Sequence, residues 1–267
     1  MHNTTTIDLP TPARALAIGA HPDDIEFGCG ATLHKWGTAG CVVSFLICTD
    51  GSKGTWDAQA DVASLIVRRQ NEQIEAAKRL AAIGEVRFLG ETDGELGVDR
   101  NLQSKVAEII RELRPQVLLG HDPWKRWRLH PDHRAAGFLC TDSVVAARDP
   151  HFFPEHGTAY HRPDELLLFE CEEPDHLELV SKVNVNAKVN ALLAHESQFE
   201  STHGISSVDS TEEKASFAEN IFKHCRRSIP KAGPMTHTSP KTDNTTTSSA
   251  PHADEVHAEA FKRMTGL

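Results

Sequence analysis

The chain has 267 residues, and its 28 basic and 38 acidic residues give a formal net charge of −10. This length is sufficient for one large α/β domain with its own core. The acidic balance argues against a nucleic-acid or anionic-lipid partner, because such a surface repels phosphates. No apolar stretch approaches the roughly 20 residues of a membrane span, and the first residues lack the features of a signal peptide.

Six cysteines are scattered singly along the chain, without a C-x-x-C pair. Several lie in apolar runs, where a free thiol behaves as a small hydrophobic side chain. We therefore expect the reducing environment of the cytoplasm.

Short apolar segments alternate with amphipathic segments through the first two thirds of the chain. Strands are predicted at residues 15–20, 42–48, 86–89, 116–121 and 165–170, and helices near 28–39, 61–83, 101–113, 132–147 and 178–196. Continuously apolar strands are typical of sheets covered on both faces, and strand–helix alternation indicates parallel pairing. The predicted fold class is α/β, a Rossmann-like three-layer sandwich with a mostly parallel sheet.

The C-terminal part of the chain has a different composition. Residues 231–254 are rich in Ser, Thr and Pro, and such a segment cannot bury a core. We predict a single domain over residues 1–230, a disordered linker over 231–254, and a short helix over 255–267. The helix is predicted because Val256, Ala260 and Met264 keep helical spacing.

The first chemical motif, His-Pro-Asp-Asp at residues 21–24, directly follows the first predicted strand. Ligands bind at the carboxyl ends of the strands in open α/β sheets. One carboxylate of this motif can bind a divalent ion while its neighbour accepts a proton from water. The same residues also fit a helix N-cap beside a hydrogen-bonded loop histidine. This motif alone leaves both interpretations open.

The second motif, His-Pro-Asp-His at residues 130–133, also follows a predicted strand. Pro131 suits a first helical position, so His130 and His133 lie three residues apart at one helix start and close in space. Neutral imidazole is a preferred zinc ligand, and a catalytic zinc keeps three protein ligands and a position for water. Two such motifs at two strand ends favour a metal site.

Together, HPDDIEFGCGATL and HPDH resemble the zinc-dependent de-N-acetylases of the PIG-L/LmbE-like family, which remove acetyl groups from N-acetylglucosamine units of small conjugates. The resemblance extends from about Ala15 to about Phe199. It implies that His21, Asp24 and His133 bind the zinc and that Asp23 is the general base acting on metal-bound water. Two histidines and one carboxylate also accept other divalent ions such as Fe²⁺.

The resemblance implies roles for three further residues near the motifs. His130 polarises the amide oxygen, an effect typically worth about 10²–10³ in rate. Asp132 orients an imidazole and supports its charge, or it serves the helix start. Glu26 makes a direct contact with the reacting groups, or it is a glutamate in the first turn of a helix, favoured there by the helix dipole.

Arg69, Asp93 and His195 resemble family positions that bind substrate. Arg69 lies on a predicted helix with Glu72 three residues on, where the two can pair, and Arg68 is its rival. Asp93 follows the predicted strand at residues 86–89, so it is expected at the carboxyl end of that strand. His195 donates to the substrate or to the leaving amine, or it is a surface histidine on a helix.

The loop before the second motif contains Trp124 and Trp127 together with three basic residues. Aromatic faces stack on sugars, and Lys or Arg can bind an anionic group. The loop is compatible with a lid that sets specificity, with a packed surface loop and with an oligomer contact.

The expected function is metal-dependent removal of an N-acetyl group from a small N-acetylated amino sugar, or amide hydrolysis on a related thiol-sugar conjugate. One alternative is a nucleotide-binding Rossmann module, suggested by the glycines at 28 and 30. Leu33 occupies the third glycine position of that fingerprint, however, and no ribose-binding acidic residue is evident. A catalytically silent relative is a third interpretation, but every matching catalytic position is present.

Overall fold

Residues 5–227, 235–237 and 256–267 are described by the computed structural model of the chain. The strands are β1 (Thr5–Ile7), β2 (Arg14–Gly19), β3 (Val42–Thr49), β4 (Val86–Glu91), β5 (Val117–His121), β6 (Glu165–Phe169), β7 (His176–Val180), β8 (Met235–His237) and β9 (His257–Thr265). The α-helices are α1 (Asp24–Thr38), α2 (Val62–Arg79), α3 (Arg100–Leu113), α4 (Pro131–Arg148), α5 (Lys182–Leu192) and α6 (Thr211–Arg227).

Within these residues the strands form one sheet in the order β4-β3-β2-β5-β6-β9-β7-β1-β8. The neighbours from β4 to β6 all pair in parallel, and so do β7, β1 and β8. Only β9, between β6 and β7, runs antiparallel to its neighbours. The prediction of a mostly parallel sheet is confirmed, and the five predicted strands correspond to β2 through β6.

Helices cover both faces of the sheet because the strand residues alternate between two cores. In β2, Ala15 and Ala17 pack into a cluster with residues of α1, α2 and α5. Leu16 and Ile18 face the other side, where they pack with residues of α3 and α4. Successive strand residues point to opposite faces, so the sheet is the middle layer of the predicted three-layer sandwich, which is confirmed.

The helix predicted over residues 255–267 is wrong, because residues 257–265 form strand β9. Phe261 enters the core with α1 and α5, while Met264 packs against the opposite cluster. An inserted strand covered on both faces needs no alternating pattern, and its backbone groups pair with β6 and β7. These tertiary contacts override the helical spacing of the apolar residues.

The linker predicted over residues 231–254 lies outside the described residues, except for Met235–His237, which form β8. β9 also joins the C-terminal residues to the sheet of the predicted domain. No described helix is both long and apolar enough to cross a bilayer.

Candidate metal centre and active site

The loop between β2 and α1 holds Asp23 in an uncommon backbone conformation, with φ 105° and ψ −24°. A residue with a side chain adopts positive φ only where its surroundings impose it. The Asp23 amide donates to Gln73 Oε1 over 3.0 Å, and Arg69 Nη2 donates to the Pro22 carbonyl over 2.7 Å. The Asp23 side chain makes no capping hydrogen bond to α1. The N-cap alternative is therefore wrong for Asp23, and its carboxylate is available to the site.

Asp24, the first residue of α1, lies among three histidines. Its Oδ1 is 3.2 Å from His133 Nε2, and its Oδ2 is 3.2 Å from His21 Nδ1 and 3.3 Å from His121 Nε2. The His21 and His133 ring centroids are 5.1 Å apart. The structure thus brings the three predicted ligands together at the carboxyl edge of the sheet.

His121, the last residue of β5, is a candidate ligand that the sequence analysis missed. Its ring stacks on that of His133 with centroids 4.5 Å apart, and it is 1% exposed. Its Nδ1 lies 3.2 Å from Glu170 Oε2. The available signal was its position at the carboxyl end of a predicted strand, within the same sheet edge as the two motifs.

Three groups of side chains within the described residues could hold a metal ion. They are His21, His130 and His133; Asp24, His121 and His133; and His21, Asp93 and Asp132. The predicted set of His21, Asp24 and His133 is not one of them, although His21 Nδ1 lies 3.2 Å from Asp24 Oδ2. The other ring nitrogen, His21 Nε2, lies 3.3 Å from Asp93 and 3.1 Å from Asp132.

The donor chemistry fits a divalent ion. Imidazole nitrogens and carboxylate oxygens are zinc ligands, and His121 Nε2 is buried without a hydrogen-bond partner in the described part of the chain. Most buried polar atoms in native proteins have a partner, so an unpaired nitrogen beside a carboxylate is a position that a cation can use.

The charges around His21 also favour the binding of a cation. Burial disfavours its protonated form, but the hydrogen bonds that its ring donates to Asp132, Asp24 and Asp93 outweigh burial and raise the His21 pKa to about 12. Burial raises the pKa values of Asp93 and Asp132, but the hydrogen bonds and charge of His21 lower them more. Both carboxyl pKa values therefore lie below the usual value. Three ionised carboxylates therefore meet in a buried site, where they stabilise a cation.

Asp23 differs from these carboxylates. Burial raises its pKa to about 6, and the nearby Asp24 adds to the effect, while Arg69, 3.9 Å away, opposes it. A proton acceptor works best when its pKa lies near the working pH. Asp23 has this property and Asp24, whose pKa is held well below its usual value by His133 and His121 against the effect of burial, does not.

His130 is the N-cap residue of α4, and its Nδ1 accepts the Asp132 amide hydrogen over 3.3 Å. Burial, His21 and His133 lower the His130 pKa. The Asp132 carboxylate contacts His21 rather than His130, and it also accepts the amide hydrogens of Gly94 and Leu96. A neutral His130 that accepts at Nδ1 carries its proton on Nε2 and remains a donor.

Arg69 and Asp93, both predicted to bind substrate, lie beside Asp23 and His21 respectively. Arg69 is 3% exposed, and its guanidinium is held by the carbonyls of Pro22 and Gly51. The expected pairing of Arg69 with Glu72 is wrong. Glu72 bonds Arg68 over 2.9 Å instead, because those two residues share an outer face of α2.

His195 is fully buried, so its interpretation as a surface histidine is wrong. Its Nε2 lies 3.7 Å from Glu26 Oε2, and neither ring nitrogen has a hydrogen-bond partner in the described ranges. Gln73, which the sequence analysis missed, donates to Glu26 Oε1 over 2.6 Å and accepts from the Asp23 amide. It lies one turn after Arg69 on α2, and this i, i+4 spacing was the only signal for it.

The loop before α4 combines an anchored arginine with exposed aromatic side chains. Arg128 donates to Glu170 over 2.7 Å, and its Nη1 lies 3.4 Å from His133 Nδ1. Trp124 is half-exposed and Trp127 is 89% exposed. The interpretation as a packed surface loop is therefore wrong for Trp127.

Comparisons with known proteins identify the family of the chain. Residues 16–144 match the family described as PIG-L: GlcNAc-PI de-N-acetylase. The chain is 34% identical over 189 residues to the diacetylchitobiose deacetylase of Thermococcus kodakarensis, with 70% of each chain covered. It is 30% identical over 177 residues to 1D-myo-inositol 2-acetamido-2-deoxy-alpha-D-glucopyranoside deacetylase 1 of Catenulispora acidiphila, with 57% of this chain and 54% of that relative covered.

A solved structure gives the same result over a longer range. The N,N'-diacetylchitobiose deacetylase from Pyrococcus horikoshii, in complex with its inhibitor MPG, superposes with a TM-score of 0.75 at 25% sequence identity. The match covers 96% of this chain and 85% of that chain. The family predicted from the two motifs is confirmed, and this protein belongs to the PIG-L family of de-N-acetylases.

Proposed function

We propose that this protein is a metal-dependent hydrolase that removes the N-acetyl group from an N-acetylglucosamine-type small molecule. The observation that carries the proposal is the convergence of His21, Asp24 and His133 beside Asp23 at one edge of the sheet. The names of both sequence relatives support it, since each describes a deacetylase of an acetylated glucosamine unit.

His21, Asp24 and His133 are the proposed metal ligands, and His121 is a further candidate donor beside Asp24. When bound, a zinc ion supplies Lewis acidity, which makes a water molecule acidic near neutral pH and polarises an amide carbonyl. The same donors accept Fe²⁺, so the proposal includes that ion as an alternative.

The protein's own groups then move protons at defined atoms. As the water oxygen bonds to the acetyl carbon, the Asp23 carboxylate accepts one of the water protons. His130 Nε2–H donates to the carbonyl oxygen while negative charge develops there. When the carbon–nitrogen bond breaks, the proton held by Asp23 passes to the leaving nitrogen. The products are the free amine and acetate.

The remaining site residues hold this arrangement. The Arg69 guanidinium is bound by two backbone carbonyls, so in this proposal it fixes the loops around Asp23 and does not grip the sugar. Asp93, with Oδ1 3.3 Å from His21 Nε2, is the proposed acceptor for a sugar hydroxyl. His195, buried beside Glu26, lines the inner wall of the site.

The glycines at 28 and 30 have a packing role that argues against a nucleotide-binding module. A Cβ atom at Gly28 would lie 2.4 Å from the Phe169 ring, and one at Gly30 would lie 3.3 Å from the Lys188 side chain. Both glycines therefore allow close packing against these side chains, which accounts for them without a phosphate ligand.

The direct test is a hydrolysis screen of the purified, zinc-loaded protein. N,N'-diacetylchitobiose, an N-acetylglucosaminyl inositol and an acylated thiol-sugar conjugate are the substrates, and free amine and acetate are measured separately. We expect equal amounts of amine and acetate from at least one acetylated sugar, and release at least about 10²-fold slower with Asp23→Asn. Zinc-loaded protein that releases no amine from any of them would refute the proposed reaction.

We also propose a reducing compartment such as the cytoplasm, since all six cysteines are free thiols.

A further inference from the structure

Helix α1 is interrupted shortly after its first turn. Cys29 has non-helical dihedral angles, φ −150° and ψ 17°, so two helical segments meet there. A sharp break in a helix has a specific cause, such as a side chain inserted into the backbone hydrogen-bond ladder. The first segment carries Asp24 and Glu26, so the break lies between the proposed metal centre and the rest of the helix.

A buried ion pair is inserted at this break. In a continuous α-helix, the Ala31 amide donates to the Phe27 carbonyl. Here the Ala31 amide donates to Glu259 Oε1 over 3.2 Å, and the Phe27 carbonyl accepts from Lys188 Nζ over 2.7 Å. Lys188 and Glu259 bond each other over 2.6 Å. The pair therefore satisfies both groups that the interruption exposes.

The Glu259 carboxylate also serves as a cap for the second segment. Its Oε2 accepts the Thr32 amide hydrogen over 2.8 Å, in addition to the bond from Ala31. The first amides of a helix lack internal partners, and a carboxylate there satisfies them and interacts well with the helix dipole. Glu259 lies in β9, 227 residues after Thr32, so the C-terminal strand directly holds the helix of the metal centre.

Burial makes this pair costly unless it is complete. Lys188 is 1% exposed and Glu259 is 3% exposed. Burial disfavours the charge on Lys188, but Glu259 outweighs it and raises the Lys188 pKa. A buried charge without its partner is strongly unfavourable. The two residues therefore act as a unit, and their backbone bonds determine where the first segment of α1 lies.

We propose that the Lys188–Glu259 pair is a positioning device for the metal centre, which holds the first turn of α1 so that Asp24 faces His21, His121 and His133. This inference rests on the metal centre proposed above. It gives the C-terminal strand a role in catalysis although β9 contributes no side chain to the site. It also explains the Gly-Cys-Gly sequence, since Gly28 and Gly30 let the break pack against Phe169 and Lys188.

The test compares two double variants, each of which removes an ion pair that contacts helix α1. Lys188→Met/Glu259→Gln removes both charges at the break, whereas Glu259→Gln alone removes the carboxylate and keeps the buried Lys188 charge. The matched control is Lys35→Met/Glu178→Gln, which removes a second ion pair, 2.7 Å long, between the last turn of α1 and strand β7. For each variant we would measure the zinc dissociation constant by chelator competition, kcat and KM, melting temperature, and hydrogen exchange of residues 24–32.

We expect the break variant to weaken zinc binding by about 10- to 100-fold, as loss of a supporting group around a metal ligand typically does. Its kcat should fall while KM changes little, and residues 24–32 should exchange faster. Glu259→Gln alone leaves the Lys188 charge buried without its partner, so it should lose at least as much zinc affinity as the double variant. Each variant is measured below its own melting temperature. The control should lose melting temperature but keep the parent's zinc affinity and exchange in this segment.

Parental zinc affinity and exchange in the break variants would overturn the positioning role. Equal loss of zinc affinity in the control would also overturn it, because the effect would then follow from general destabilisation. A parent protein that binds no zinc would instead refute the proposed metal centre.

Discussion

The carboxyl ends of β2 and β5 and the helix starts that follow them carry Asp23, Asp24 and the four histidines of the site. Strands β7 and β9 instead place Glu178 and Glu259 against helix α1. The two groups of buried charges are treated differently. Glu178 and Glu259 are each paired with a lysine and a backbone amide. At the site, by contrast, Glu26 Oε2 and His121 Nε2 have no hydrogen-bond partner among the described residues. Complete pairing indicates a supporting role, and incomplete pairing indicates a place where a ligand completes the set.

The largest effect that this comparison predicts is on metal binding. His21→Ala, Asp24→Ala and His133→Ala should each lose the metal and reduce activity to background, because two remaining ligands bind too weakly. Their metal-free melting temperatures should stay close to that of the metal-free parent. Glu178→Ala should instead lose about 3 kcal/mol of unfolding free energy, because the buried Leu9 amide and His176 lose their acceptor and Lys35 keeps only Asp8.

Metal content by elemental analysis and thermal melts without metal check this contrast. Full metal occupancy in all three site variants would contradict the ligand set. His121→Ala sharpens the assignment: loss of metal there, with retention in His21→Ala, would indicate the group of Asp24, His121 and His133.

The next largest effect concerns the two adjacent aspartates. Asp23→Asn should keep the metal and lose about 10²–10⁴ in rate, because the amide preserves shape but cannot accept a proton. The parent needs an ionised Asp23, so its kcat/KM should fall as pH decreases through the Asp23 pKa. That value is about 6 without metal, and a bound cation lowers it further. Activity of Asp23→Asn within a few-fold of the parent would exclude Asp23 as the base. Loss of the metal in this variant would show that Asp23 is the ligand and Asp24 the base.

His130→Ala should lower kcat by about 10²–10³ and leave the metal content unchanged. Burial and the neighbouring histidines lower the His130 pKa, so it acts as a neutral donor. Any decline of activity at alkaline pH should therefore not come from His130, and such an alkaline limb of the parent's pH profile should survive in the variant. His130→Gln, which keeps an N–H donor, should retain more activity than His130→Ala. Loss of the alkaline limb would show that His130 works in its protonated form.

The sequence was informative where chemistry depends on position along the chain. Both motifs follow continuously apolar strands, so their meeting at one sheet edge could be predicted. His121 was missed because a single histidine in a strand carries no spacing signal. Gln73 was missed because amides are common on helix surfaces, and its contact with Asp23 depends on how α2 packs against the first loop.

The second half of the sheet was less predictable for a related reason. β9 joins the sheet far from its sequence neighbours, and its pairing with β6 and β7 involves residues about 80 to 100 positions away. Local periodicity reports which faces are buried, not which strands pair. Lys188 and Glu259 could not be identified as partners because nothing in the sequence relates α5 to a strand 71 residues later.

The smallest predicted effect tests a histidine that departs from this comparison. His203 is buried with both ring nitrogens lacking a described hydrogen-bond partner, yet it stacks on Phe217 with centroids 4.7 Å apart and lies edge-on to Phe27. Burial lowers its pKa to about 3, with smaller contributions from His195 and Arg69. Below pH 6.5 His203 binds a proton in the unfolded chain, whereas in the folded protein it stays neutral down to about pH 3. The free energy of unfolding of the parent therefore decreases as pH falls from 6.5 to about 3. At pH 5 the loss is about 2 kcal/mol relative to pH 7.

His203→Phe should abolish this loss of stability at low pH. Urea unfolding at pH 7 and pH 5 should show that the free energy of unfolding of the parent, relative to that of the variant, falls by about 2 kcal/mol between the two pH values. Parallel pH dependence of the two proteins would contradict a neutral buried His203. An activity loss above tenfold in the variant would assign His203 to the site, where unpaired nitrogens are expected.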